Sequence, residues 1–203
     1  MITIFRLFPA KLNLNGDAEN ASVLSKRLEW SGVEHQLVDV TSQSELESCL
    51  EEVEKAPKSC VVVIGHGSQA AIASLATEAS TIQKLYNRMV DLGAPGIVVS
   101  SGLGLVGRAA DRSGDSSSRA YKLQVTLPGW PANAIGYFNS QAQDSMLNVE
   151  SNVIRTYLHG PFLARNPDWA TELLSRAGAN MIDSVQEQTA RLHLEKIWEM
   201  PDD

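Results

Sequence analysis

Ser100, His66 and His159 are the residues of this chain whose types and surroundings suit acyl-transfer chemistry. Ser100 follows the apolar run Gly96-Ile97-Val98-Val99 and precedes Ser101-Gly102-Leu103-Gly104-Leu105-Val106-Gly107. A buried strand is therefore expected to end there and a helix to begin. An α/β enzyme carries its nucleophile at such a junction, where Gly102 and Gly104 permit the sharp turn that brings the preceding side chain to the carboxyl edge of a sheet. Ser100 either acts as a nucleophile or only occupies the place of one, and the spacing leaves both open. His66 and His159 each end an apolar strand beside a glycine, a position from which an imidazole can serve as a base or can simply pack. The turn Gly65-His66-Gly67-Ser68-Gln69 adds small residues whose free backbone N–H groups would face an anion or an oxyanion. The other histidines differ: His35 follows a helix stop and His193 lies on a charged C-terminal segment, so both read as solvated surface residues.

The elements that must position these residues follow from hydrophobic periodicity. Strands are predicted over Ile2 to Phe8, Val33 to Val40, Cys60 to Ile64 and the Gly96 run, with helices over about Ala18 to Trp30, Ser44 to Glu54 and a stretch through Leu85 and Val90 to Gly93. Asp17 and Asn20 stand where a helix would be capped, which is the plainest role for them. Strands alternating with helices imply a three-layer α/β fold, a mostly parallel doubly wound sheet with flanking helices, in which ligands bind at the carboxyl ends of the strands. From Gly107 to Arg119 the chain is small and polar and reads as an exposed loop. Tyr121 to Leu127, Ala134 to Phe138 and Val153 to Leu158 are strand candidates, spaced closely as in antiparallel pairing. Helices are then expected from about Pro167 to Ala177 and from Ser184 to Glu199.

Composition narrows the class. With 203 residues, 43% of them hydrophobic and 20% charged, the expectation is one domain spanning residues 1–203. A net charge of −7 and a pI near 5.1, without a basic stripe, argue against nucleic acid as a partner. Cys49 and Cys60 are too few and too far from paired histidines for a zinc site or a disulfide framework. No metal or other cofactor is expected. Met1 to Ala10 does not read as a secretory signal, and no apolar run approaches the ~20 residues of a membrane span. The cytoplasm is the expected compartment.

Four segments taken together carry a resemblance. They are Leu12-Asn13-Leu14-Asn15-Gly16-Asp17-Ala18-Glu19-Asn20 ahead of Leu28-Glu29-Trp30, the turn at Gly65-His66-Gly67, the elbow at Ser100, and Thr156-Tyr157-Leu158-His159-Gly160-Pro161-Phe162-Leu163-Ala164-Arg165-Asn166-Pro167. In this order, over about residues 11–178, they resemble the GatD family of CobB/CobQ-like class I glutamine amidotransferases. The resemblance implies the flavodoxin-like fold of that class. It also implies a glutaminase subunit that hydrolyses glutamine and passes ammonia to a MurT-like Mur ligase, which amidates the D-glutamate of lipid II in the bacterial cell wall.

Carried over, His159 matches the family's catalytic histidine and Ser100 the position of its nucleophilic cysteine. Gly65, His66, Gly67 and Ser101 fall on the oxyanion and substrate-binding positions, and Arg119 on an arginine that binds glutamine. The departures are specific. The family's elbow reads Cys-Gly-Gly-Tyr-Gln where this chain has Ser100-Ser101-Gly102-Leu103-Gly104, and His66 stands where a glycine is expected. The family's Gly-Phe-Glu-Asn-His segment appears as Gly136-Tyr137-Phe138-Asn139-Ser140. A serine hydroxyl, unlike a partly ionised thiol, needs a well-oriented base and an acidic group to orient that base. No carboxylate follows two residues after His159, so a Ser100 and His159 dyad is expected to be a poor glutaminase. Three readings follow: a GatD-type amidotransferase subunit with impaired activity, an inactive homologue that acts by binding a ligase or a ligand, and a serine hydrolase or acyltransferase using Ser100 or Ser68.

Overall fold

The computed structural model describes residues 1–108, 119–138 and 146–199. Its centre is a run of short apolar strands that cannot stay exposed. Strands β1 (Ile2–Leu7), β2 (His35–Val40), β3 (Cys60–Ile64) and β4 (Gly96–Val99) pair in parallel, and every residue of β3 and β4 is buried. Uninterrupted apolar strands of this kind require cover on both faces. The cover comes from α1 (Asn20–Trp30), α2 (Gln43–Lys55), α3 (Gln69–Ala73), α4 (Ala79–Leu92) and the short α5 (Gly102–Leu105). Helix α2 starts cleanly because Ser42 and Glu45 form a reciprocal capping box. Helix α4 ends at Gly93 in the left-handed region, φ 69°.

The second half departs from strict alternation. Strands β5 (Arg119–Gln124) and β6 (Asn133–Phe138) form a separate antiparallel pair. Strand β7 (Leu147–Glu150) was not visible in the sequence pattern, because its four residues offer no clear period. It pairs antiparallel with β8 (Val153–Thr156), which runs parallel to β4, so β8 joins the main sheet rather than the β5–β6 pair. The sheet order is β2-β1-β3-β4-β8-β7. Helices α6 (Phe162–Arg165), α7 (Pro167–Arg176) and α8 (Val185–Glu199) complete the chain. The result is the expected α/β architecture, a mostly parallel six-stranded sheet with flanking helices and a small antiparallel part. Among the described residues no helix is long and apolar enough to cross a membrane.

This topology decides where chemistry can sit. From β1 the chain adds β2 on one side and then β3, β4 and β8 on the other, so the strand order reverses between β1 and β3. The loops after β1, β3, β4 and β8 all leave the same edge of the sheet, and they flank the reversal, where open α/β sheets hold their ligands.

Candidate functional site

Those four loops carry Asp17, His66, Ser100 and His159 respectively. Close backbone approach holds them together. A Cβ on Gly65 would lie 2.0 Å from the Leu12 carbonyl oxygen, and one on Gly102 would lie 2.6 Å from the Gly65 carbonyl oxygen. The three loops stack only because these residues have no side chain.

At the elbow it is Ser100 itself that takes the left-handed conformation, φ 46°, while Gly102 and Gly104 do not. A non-glycine residue there costs on the order of 1–3 kcal/mol and persists only when its neighbours over-determine it. Two backbone bonds do so: Ser100 N–H donates to Thr156 O and Leu103 N–H donates to Ser100 O, each at 2.8 Å. Ser100 is buried, and among the described residues no side-chain hydrogen bond joins it to His159.

His159 is also buried, and its backbone is pinned to β6 through a 2.7 Å bond from its N–H to Tyr137 O. Its ring Nδ1 lies 2.8 Å from Asp17 Oδ2, although 142 residues separate the two in sequence. With the proton on Nδ1 donated to the carboxylate, the lone pair of Nε2 is left for a substrate, which is the tautomer of a general base. Asp17 is wholly buried; burial holds its carboxyl above the ordinary value, and the hydrogen bond from His159 pulls the other way. Among the described residues its second oxygen, Oδ1, accepts no hydrogen bond of ordinary geometry, although the Gly160 backbone N–H lies near enough to the carboxyl to help hold its pKa down.

The capping role expected of Asp17 and Asn20 is therefore not the one they play. Neither helical segment at this loop receives a side-chain cap. Asn20 Nδ2 donates to Asp17 O, and Asn20 Oδ1 accepts from Leu163 N–H, both at 2.8 Å. The first and the last of the four segments that carry the resemblance are thus joined by a carboxylate–imidazole pair and an asparagine bridge. The acid that sequence reasoning sought just after His159 comes from the opposite end of the chain. Its only signal was its place in the Leu12–Asn20 segment.

The glycine turn does not present free donors throughout. Gly67 N–H donates to Ser101 Oγ at 3.0 Å, and that hydroxyl lies 2.8 Å from both Gly67 O and His66 Nδ1. Ser101 N–H points at the same His66 Nδ1 at 3.3 Å. Ser68 caps α3 by accepting from Ala71 N–H, which gives it a structural task. The His66 ring leans against that of His159 with centroids 4.7 Å apart. Burial, and then the proximity of His159, lower the His66 pKa to about 4, so its imidazole is neutral near pH 7. The side chain of Arg119 lies outside the described residues, as do Asn139, Ser140 and the polar stretch 109–118. His35 is held by Ser25 and the Val33 carbonyl, and His193 is exposed. Cys60 opens β3 at the edge of the sheet opposite the site, and burial pushes its thiol up to about 12. Among the described residues no cluster of histidine, cysteine and acidic side chains could hold a metal.

No family model and no curated protein matches this sequence. Among solved structures, a protein described as "putative protease I" from Bacteroides thetaiotaomicron is similar over 85% of this chain and 98% of its own, at 13% identity and a TM-score of 0.44. That degree of likeness carries no argument about activity.

Proposed function

We propose that the chain is a glutamine amidotransferase-like subunit of the GatD type, a single domain over residues 1–203 with impaired or lost glutaminase activity. By the same reading it works in the bacterial cytoplasm with a MurT-like Mur ligase on the amidation of lipid II D-glutamate. The observation that carries this reading is the buried His159–Asp17 pair beside the strained Ser100 elbow, all at the carboxyl edge of one parallel sheet. In glutamine hydrolysis a nucleophile attacks the side-chain amide carbon, ammonia leaves with a proton from the base, and water then releases glutamate from the acyl intermediate. His159 Nε2 suits the base and Asp17 orients it. Ser100 is the weak member, because its hydroxyl keeps its proton unless a base lies in line, and no hydrogen bond to His159 supplies one.

The second reading, a homologue without activity that binds or regulates a ligase, is favoured by the backbone N–H groups of Gly67 and Ser101, which already point at side-chain atoms. Ammonia release from glutamine, measured with and without a MurT-like ligase for the wild type and for Ser100→Cys, separates the two. The expected result is little or no turnover by the wild type and a clear gain in the variant. Rapid wild-type turnover would sink the impaired-enzyme reading. Failure of every form to bind glutamine or the ligase would sink the GatD reading.

A further inference from the structure

Resting on that reading, we infer that His66 and Ser101 plug the oxyanion position, so that the nucleophile is not the sole element standing between this chain and glutamine hydrolysis. The donors of an oxyanion site at a nucleophile elbow are the N–H of the residue after the nucleophile and an N–H from a neighbouring strand–helix loop. Here those are Ser101 N–H and, in the turn after β3, Gly67 N–H. Each must point at empty space that an oxyanion can enter.

Neither does. In front of Ser101 N–H, at 3.3 Å, stands His66 Nδ1, and in front of Gly67 N–H, at 3.0 Å, stands Ser101 Oγ. Either imidazole tautomer leaves the space ahead of both amides filled. If Nδ1 is bare, it accepts from Ser101. If Nδ1 carries the proton, it donates to Ser101 Oγ at 2.8 Å, and the hydroxyl proton goes to Gly67 O at 2.8 Å. In both cases a nitrogen of the ring fills the volume ahead of the amide, and the hydroxyl fills the volume ahead of Gly67. The ring is also braced from behind by His159, and the backbone around it is fixed by the bond from Leu14 N–H to His66 O at 2.9 Å. His66 and Ser101 thus act as one staple between the glycine turn and the elbow. They are positioning residues that hold the two turns against each other.

Two measurements test this. In the first, amide hydrogen exchange of Ser101 and Gly67 is followed by NMR in the wild type, His66→Ala and Ser101→Ala. Strong protection in the wild type is expected, with exchange at Ser101 rising when His66 is removed and at Gly67 when the Ser101 hydroxyl is removed. An unprotected Gly67 amide in the folded wild type would overturn the inference, whatever the activity. In the second, glutaminase rates are compared for Ser100→Cys alone and for Ser100→Cys combined with His66→Ala and Ser101→Ala. One restored oxyanion donor is worth about 10²–10³ in kcat, so the combined variant should exceed the single one by at least about 100-fold. His66→Gln, whose amide oxygen can still accept from Ser101 N–H, should give no such gain in place of His66→Ala. Equal rates in the single and combined variants, both of them measurable, would overturn the inference. Protected wild-type amides that loosen as expected, with no glutaminase in any variant, would uphold the plug and count against the GatD reading.

Discussion

Replacing Asp17 by alanine tests how the candidate site is held together. The Asp17–His159 contact is 2.8 Å long between side chains of which 0% and 3% is exposed, so solvent cannot substitute for either partner. A hydrogen bond to a charged group contributes about 1.5–3 kcal/mol, and a buried donor left without a partner costs about 1–3 kcal/mol. Asp17→Ala leaves the Nδ1–H of His159 in that state, so a loss of about 2 kcal/mol is expected. Asp17→Asn should behave differently. Its carbonyl oxygen can still accept from Nδ1–H and the charge that burial penalises is gone, but its NH2 takes the place of Oδ1, where no acceptor lies among the described residues. It is expected to lose less than Asp17→Ala but still about 1 kcal/mol near pH 7, the relief of the buried charge offsetting part of the cost of the stranded NH2. The pH dependence supplies the sign. An acid whose folded pKa is raised binds its proton more readily when folded, so the wild type loses stability as pH rises from the ordinary value of 3.8 through the folded value; Asp17→Asn lacks that slope. Urea unfolding of the wild type, both variants, His159→Ala and Asp17→Ala/His159→Ala closes a double-mutant cycle. A coupling below about 0.3–0.5 kcal/mol, the range of independent sites, would refute the pairing.

Two further outcomes follow from titratable and ionic groups elsewhere in the chain. The His66 pKa is lowered from 6.5 to about 4, so the unfolded chain binds the proton more readily and stability should fall as pH drops from about 6.5 to 4. Because His66 is only half-buried, that contribution is discounted to about 1–2 kcal/mol, and the difference between wild-type and His66→Gln unfolding curves across this range isolates it. Arg27 and Glu187 form a buried ion pair between α1 and α8, and Arg27 also donates to Pro167 O at 3.2 Å. Glu187→Leu alone should cost about 3–5 kcal/mol by stranding the guanidinium, whereas Arg27→Met with Glu187→Leu should recover most of the loss. Thermal unfolding that ranks the double variant below the single one would contradict this.

How much of this was legible in the sequence depended on the range of the interactions involved. Cys60–Ile64 and Gly96–Val99 announce themselves because a strand buried on both faces must be continuously apolar, and Gly93 ends α4 by local φ alone. Strand β7 did not, since four residues with one buried side chain acquire strand geometry only from β8 beside them. The same distinction governs the site. The elbow is a local object and was found from local sequence, but which residue bears the positive φ was not: glycines were expected to, and Ser100 does. The role of Asp17 was hidden because its partner is 142 residues away, and a short acidic residue before a helix reads equally well as a cap. The turn at Gly65–Gln69 was read as a donor array from its small residues, yet the hydroxyl that consumes the Gly67 donor comes from the loop after β4.

The distribution of cost within the site points to what has been kept. Ser100 holds an unfavourable φ, Asp17 keeps a buried carboxylate, and Gly65 and Gly102 allow backbone contacts that no other residue would permit. The positive φ of Ser100 and the buried carboxylate of Asp17 are unfavourable for stability by themselves, while the two glycines let the loops that carry them pack together. The His66–Ser101 staple has the opposite character. It satisfies polar atoms that an acyl-transfer site leaves open, and so it recovers stability at the point where catalysis would require an empty cradle. On the proposed reading, a scaffold that keeps the Asp17–His159 pair and the strained elbow while His66 and Ser101 fill the oxyanion position holds these loops firmly in place. It is poorly built to stabilise a tetrahedral intermediate there.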